Sequence, residues 1–167
     1  MSKPAIFFDR DGVLNVDVGY LYKIEDFQWI DGAVETIKHF NDKGYYVFVI
    51  TNQSGVARGY YKEEDVTKLH QWMNQELARY GAHIDEFFYC PHHIKGIVPE
   101  YSFDCECRKP KIGMIKEALE KYNRNLKESL LIGDKDSDIK CAENAGIKGI
   151  KYLGNSNLNI FNNTGGV

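Results

Sequence analysis

Five short apolar runs alternate with four stretches whose apolar residues fall at helical spacing, and this alternation is the strongest constraint on the fold. Residues 4–8, 45–50, 86–89, 129–132 and 147–152 read as strands, the first two as fully buried ones. Between them, Ala33, Val34, Ile37 and Phe40 form one helical face, closed by Gly44 as a C-terminal cap. Val66, Leu69, Trp72, Met73 and Leu77 form a second face. Met114, Ile115, Ala118, Leu119 and Tyr122 form a third, with Pro110 expected in its first turn. Ile139, Ala142 and Ala145 mark a short fourth helix ended by Gly146. Such a pattern predicts an α/β fold with a central parallel sheet and helices on both faces. At 167 residues the chain is expected to form a single domain, 1–167. Residues 155–167, rich in Asn and Gly, are expected to be loosely held.

Ligands of open parallel sheets bind at the carboxyl ends of the strands. The residues just after the runs are therefore where chemistry should sit. Asp9, Asp11 and Gly12 follow the first run, and Thr51, Asn52, Gln53, Ser54 and Gly55 follow the second. Three cysteines and then Arg108, Lys109 and Pro110 follow the third, and Asp134, Lys135, Asp136 and Asp138 follow the fourth.

Residues two apart on a strand face the same way, so Asp9 and Asp11 can address one site. Adding Asp134 makes a carboxylate cluster that needs a cation, and oxygen ligands alone suggest Mg²⁺. The plain alternative is that Asp-Gly is a turn. Thr51 offers a hydroxyl, and the turn after it offers backbone N–H groups to phosphate oxygens; an N-cap or a Ser-Gly turn is the alternative. Lys109 is a compact cation suited to a phosphoryl group, and Arg108 has the planar fork for a second phosphate. Alone, the two would read as a solvated helix start.

Cys90, His92, Cys105 and Cys107 supply three thiolates and one imidazole, a complete tetrahedral set for structural Zn²⁺. The set would pin a zinc-stabilised loop at about 90–109, and leaves no position for a reacting water. His93 is the competing imidazole. Cys141, within a helical pattern, reads as a small core residue. A formal charge of −3, from 21 basic and 24 acidic residues, argues against a broad nucleic-acid surface. The longest apolar run, 45–50, is far short of the roughly 20 residues a membrane span needs. Without an apolar signal core at the N-terminus, a cytoplasmic location is expected.

Taken in order, these pieces resemble the haloacid-dehalogenase (HAD) superfamily of phosphatases, from Asp9 to Asp138. The resemblance implies a HAD-like Rossmannoid three-layer fold. No segment of domain length separates the motifs, so no large cap domain is expected. Residues 8–12, 15–20, 51–59, 89–93, 105–110 and 133–135 look like the heptose 1,7-bisphosphate 7-phosphatases of nucleotide-activated heptose synthesis, which serves lipopolysaccharide core or surface glycans. The related histidinol-phosphate phosphatases share the aspartates, the zinc ligands and Arg108-Lys109-Pro110, and remain the alternative. Residues 17–20, Ala57-Arg58-Gly59 and the long cysteine spacing favour the heptose branch, while Lys111 is more familiar in the histidinol branch.

By this resemblance Asp9 is the nucleophile and Asp11 the general acid and base. Mg²⁺ would be held by the Asp9 carboxylate, the Asp11 backbone carbonyl and Asp134. Thr51 and Lys109 would hold the transferred phosphoryl group. Arg108 would bind the phosphate that stays, with Asp17, Gly19, Tyr20, Asn52, Gln53, Ser54 and Lys135 contacting substrate. Asp136 and Asp138 would stand behind these, orienting Lys109 or metal-bound water. The partner is then a small phosphorylated sugar, with no nucleic acid or membrane, and the enzyme a monomer.

Overall fold

The computed structural model describes residues 3–122 and 124–153. Residues 155–167, expected to be loosely held, lie outside the described residues.

Strands β1 (Lys3–Phe8), β2 (Tyr46–Asn52), β3 (Glu86–Cys90), β4 (Arg124–Gly133) and β5 (Lys148–Lys151) form one sheet in the order β3-β2-β1-β4-β5. Every pairing is parallel. Helices α1 (Ala33–Asp42), α2 (Glu63–Ala78), α3 (Gly113–Lys121) and α4 (Asp136–Ala145) alternate with the strands.

The central strand explains the layering. Ala5 to Phe8 of β1 are wholly buried, as a strand covered on both faces must be. Ile6 and Phe8 pack with Ile37 and Phe40 of α1 and with Leu69, Met73 and Leu77 of α2. Ala5 and Phe7 pack with Met114, Ile115 and Ala118 of α3 and with Cys141 and Ala142 of α4. Period-two alternation thus divides the interior into two cores, one on each face of the sheet. Burying a phenylalanine such as Phe7 or Phe8 contributes roughly 1.5–3 kcal/mol. Cys141 is a core residue, as expected.

Local chemistry sets the helix ends. Gly44 follows α1 at φ +83° and Gly146 caps α4 at φ +77°, both in the left-handed region. At the start of α2 the Asp65 carboxylate accepts the Lys62 N–H at 2.8 Å.

Three boundaries differ from the sequence reading by two residues or more. β2 runs on through Thr51 and Asn52, because both continue the ladder against Tyr89 and Cys90. β4 begins at Arg124, paired with Lys3, ahead of its apolar run. Pro110 lies outside α3: Lys111 N–H closes a turn onto Arg108 C=O, and α3 starts only at Gly113. An added Cβ at Gly113 would meet the Glu106 carbonyl oxygen at 2.4 Å. The chain is therefore still turning back on the cysteine loop there. Among the described residues, no helix is long and apolar enough to cross a membrane.

Strand order reverses at β1, which has β2 on one side and β4 on the other. The carboxyl ends of β1 and β4 mark this switch point, where such sheets place ligands. Asp9 and Asp134 are the residues that leave those two ends.

Candidate active site

Asp9 is 5 % exposed and Lys109 4 % exposed, so their charges meet out of water. Lys109 Nζ donates to Asp9 Oδ1 at 2.9 Å, to Asp138 Oδ1 at 2.6 Å and to the Ile50 carbonyl at 2.9 Å. All three ammonium donors are used. Burial pushes the Asp9 carboxyl up to about 7, against the pull of the Lys109 ammonium. Burial alone would lower Lys109, but the carboxylates of Asp9 and Asp138 outweigh it and hold the ammonium above its ordinary value.

Carboxylate oxygens of Asp9, Asp134 and Asp138 lie within 4.8 Å of one another. Asp138 is spent, however: its Oδ1 takes Lys109, and its Oδ2 accepts the Lys135 N–H at the start of α4. Asp134 Oδ1 is buried with no hydrogen-bond partner among the described residues. Asp9 and Asp134 are thus the pair open to a cation, and an all-oxygen set with an orphaned buried oxygen fits Mg²⁺. Gly12 makes this approach possible. It sits at φ +88°, and a Cβ there would stand 2.2 Å from Asp134 Oδ2.

The Asp11 carboxylate does not join the cluster, as its spacing from Asp9 had suggested. The strand ends at Phe8, so strand alternation no longer governs its direction. Arg10, fully buried, grips it through Nη2 at 3.0 and 3.2 Å. Asn15 Nδ2 at 2.9 Å and Gln53 Nε2 at 3.1 Å complete its shell. Burial would raise the Asp11 carboxyl, but the Arg10 guanidinium and these donors outweigh it and hold it below its ordinary value. Arg10 also donates Nη1 to His70 Nε2 at 3.2 Å. Burial and that guanidinium keep His70 well below its usual value, hence neutral and able to accept.

Arg10, Asn15, Tyr61 and His70 were missed by sequence reasoning. Only Arg10 left a signal, as a cation fixed between two aspartates directly after a buried strand.

Every residue expected to contact substrate lines one cavity of about 380 Å³. Asp17, Gly19 and Tyr20 come from the β1–α1 connection, Asn52, Gln53 and Ser54 from the end of β2, Arg108 and Lys109 from the end of the cysteine loop, and Lys135 from the start of α4. Asp11, Tyr61 and Ser137 join them, while Thr51, 1 % exposed, lies beneath. A larger opening of about 730 Å³ shares Tyr61 but is lined by Tyr22, Glu63 and Tyr101 and holds none of the Asp9, Lys109 and Asp134 set. The smaller one is lined by Lys109, which binds Asp9 beneath it.

Two expectations change here. Backbone N–H groups after Thr51 are not all free, because Gln53 N–H donates to Cys90 C=O at 2.7 Å to fix the loop. Asp136 does not reach Lys109; it is exposed and paired with Lys151 at 2.8 Å, leaving Asp138 alone behind the lysine. Asn52 brackets the Lys109 backbone, accepting its N–H at 3.0 Å. Arg108 lines the same cavity, and its Nη1 is buried with no hydrogen-bond partner among the described residues.

Donor atoms of Cys90, His92, Cys105 and Cys107 all fall within 4.8 Å, a group that could hold a metal ion. His92 Nδ1 is 3.3 Å from Cys107 Sγ and 3.6 Å from Cys90 Sγ. His93 is turned elsewhere, its Nδ1 accepting the Lys95 N–H at 3.0 Å. Soft thiolates with one imidazole fit Zn²⁺, and the donor set is closed at four.

Fold and site together are those of the HAD class of hydrolases. Residues 106–157 match a family model described as HAD-hydrolase-like. More narrowly, the chain belongs to the D-glycero-D-manno-heptose-1,7-bisphosphate 7-phosphatase family. It is 50 % identical over 141 residues to the D-glycero-alpha-D-manno-heptose-1,7-bisphosphate 7-phosphatase of Photorhabdus laumondii, covering 84 % of this chain and 77 % of that one. It is 46 % identical over 149 residues to the D-glycero-beta-D-manno-heptose-1,7-bisphosphate 7-phosphatase of Haemophilus ducreyi, covering 89 % and 81 %. The crystal structure of D,D-heptose 1,7-bisphosphate phosphatase from B. bronchiseptica, complexed with magnesium and phosphate, superposes with a TM-score of 0.77 at 31 % identity, covering 87 % and 78 %.

Proposed function

We propose that this one-domain protein removes the 7-phosphate of D-glycero-D-manno-heptose 1,7-bisphosphate, leaving heptose 1-phosphate. One observation carries the reading: a single cavity is lined both by Lys109, which binds Asp9, and by Arg108, whose buried Nη1 has no hydrogen-bond partner among the described residues. That gives places for two anionic groups, one to be transferred and one to stay.

Asp9 attacks phosphorus, forming an acyl phosphate as the bond to the sugar oxygen breaks. Asp11 protonates the departing alkoxide and then takes a proton from the water that hydrolyses the acyl phosphate, returning Asp9. Its shell of Arg10, Asn15 and Gln53 favours the anion that this second step needs. The Thr51 hydroxyl would hold a non-bridging oxygen, while the Lys109 ammonium, its donors engaged by Asp9, Asp138 and the Ile50 carbonyl, lends its positive charge to the phosphoryl group, so positioning and electrostatics do most of the work. Asp9 and Asp134, with the Asp11 carbonyl, would hold Mg²⁺, which supplies charge neutralisation between carboxylates and phosphoryl oxygens. Magnesium stands with phosphate in the related B. bronchiseptica enzyme. Zn²⁺ at Cys90, His92, Cys105 and Cys107 would be structural. Histidinol phosphate, with one phosphate, leaves Arg108 unused, and the curated relatives carry heptose names.

Phosphate release from both heptose bisphosphate anomers and from histidinol phosphate, with and without Mg²⁺, tests this. The expected result is Mg²⁺-dependent release from a bisphosphate anomer, with the 1-phosphate retained by ³¹P NMR. Faster turnover of histidinol phosphate than of either anomer would overturn it.

A further inference from the structure

Gln53 is 2 % exposed, and both ends of its carboxamide are committed inside the protein. Nε2 donates to Asp11 Oδ2 at 3.1 Å and to Thr51 Oγ1 at 2.8 Å. Oε1 accepts the Tyr61 hydroxyl. Turning the amide over would set its oxygen against the Asp11 carboxylate, so only one orientation satisfies all three partners. Because Thr51 Oγ1 accepts from Gln53, the threonine proton remains for a phosphoryl oxygen.

Tyr61 is built to be immobile. It is 6 % exposed and stacks on Tyr22 with ring centroids 5.3 Å apart. Its edge fills the space where a Cβ of Gly55 would lie, 2.2 Å from Tyr61 Cε2. Burial pushes its phenol up to about 12, which keeps it a donor.

We propose that Tyr61 is a positioning residue for phosphoryl transfer, acting through Gln53 to fix the Asp11 carboxylate and the Thr51 hydroxyl together. This rests on the roles given above to Asp11 and Thr51. It also moves Gln53 from substrate contact to support: one amide holds the acid–base group and a phosphate ligand in mutual register. A shift in either would misplace the proton or the phosphoryl group, and small misplacements are costly in rate.

The test compares the full-length wild type, Tyr61→Phe, Gln53→Met and the double variant, with Mg²⁺, on heptose bisphosphate and on p-nitrophenyl phosphate. Nitrophenolate leaves without help from an acid, whereas a sugar alkoxide needs one. Tyr61→Phe should lower kcat on the sugar phosphate roughly tenfold, the scale of one buried hydrogen bond, with KM within about twofold. The loss on p-nitrophenyl phosphate should be smaller. Adding Tyr61→Phe to Gln53→Met should cost nothing further, since both act through one contact. A kcat change within twofold, equal losses on the two substrates, or additive losses would overturn the proposal in favour of a purely structural tyrosine. Hydrogen exchange of the Gln53 side-chain amide gives a second readout independent of turnover. Slow exchange in the wild type, lost in Tyr61→Phe, supports the relay, and fast exchange in the wild type overturns it. Should the wild type cleave p-nitrophenyl phosphate but not heptose bisphosphate, the substrate reading falls. Another sugar phosphate that it does cleave then takes the alkyl place in the comparison.

Discussion

Through its ammonium, Lys109 ties together Asp9 after β1, the Ile50 carbonyl of β2 and Asp138 in α4. This makes Asp9→Asn a clean test of the nucleophile. The lysine keeps two of its three acceptors, so the fold should survive, while the attacking oxygen anion is gone. Turnover should fall at least roughly a thousandfold with an unchanged circular dichroism spectrum; a variant that keeps a tenth of its activity would rule Asp9 out. Arg108 answers a different question. Its buried Nη1 has no hydrogen-bond partner among the described residues, and Arg108 lines the cavity that Lys109 lines. Arg108→Ala should lower kcat/KM about tenfold to a hundredfold on heptose bisphosphate, the value of a charge-assisted hydrogen bond. On heptose 7-phosphate the change should stay within about twofold, the usual scale for a solvated charge. Equal losses would remove the second phosphate site. Asp9, Thr51, Lys109 and Asp134 were legible in the sequence because their chemistry is local and sits just past apolar runs. Gln53 was read only as a substrate contact: an amide in a turn does not reveal that Tyr61 and Asp11 will also engage it.

Elements are joined by side chains that the strand and helix patterns do not announce. Glu63, in the first turn of α2, accepts O–H donors from Tyr89 of β3 and from Tyr101, each at 2.6 Å. Tyr101 belongs to the short 3-10 turn Pro99–Tyr101 within the cysteine loop. One carboxylate therefore ties a helix, a strand and the loop, in a position the helix dipole also favours. The bonds from Tyr101 and Tyr89 hold its carboxyl below the ordinary value of 4.5. A carboxyl depressed on folding adds stability above its unfolded value, and that stability is lost as pH falls through the folded one. The gap in Tm between wild type and Glu63→Gln should therefore be widest near neutral pH and close as pH drops below about 4.5. A gap independent of pH would show that the charge is not what matters. Strand interiors were legible because apolar runs are short and clean, but their ends were not. The first residues of β4 pair with Lys3 and Pro4 without being an apolar run, so only the ladder defines them. Pro110 fitted the first turn of a helix equally well as a turn, and the closure of Lys111 onto Arg108 decided for the turn.

At the scale of the molecule, the alternation of runs implied a parallel sheet but not the strand order. No residue pattern announces that β4 returns to the far side of β1, yet that return places Asp134 beside Asp9 and creates the cation position. The cysteine cluster is a second and separate centre, set on the end of β3. The two communicate through the chain: Gln53 N–H is bound to Cys90 C=O, and Arg108 and Lys109 directly follow Cys107. Removing the metals should therefore give distinguishable results. Omitting Mg²⁺ should abolish turnover reversibly, with little change in Tm, because the Asp9–Lys109–Asp138 contacts do not depend on it. Cys107→Ser should instead lower zinc content and Tm together, since binding energy at a closed four-ligand site is largely folding energy. A loss of about 2–4 kcal/mol corresponds to a Tm lowered by roughly 5–15 °C for a chain of this size. Most of both cores comes from the strands and helices of the sheet, with Cys90 and Cys105 at the edge of one, so far-UV circular dichroism below the transition should persist. Activity should fall as well and not return with added Mg²⁺, because the loop that carries Arg108 and Lys109 is no longer pinned. Elemental analysis of the wild type should find zinc near one per chain. Its absence, or an unshifted Cys107→Ser melt, would mean that the thiolates hold the loop without a metal.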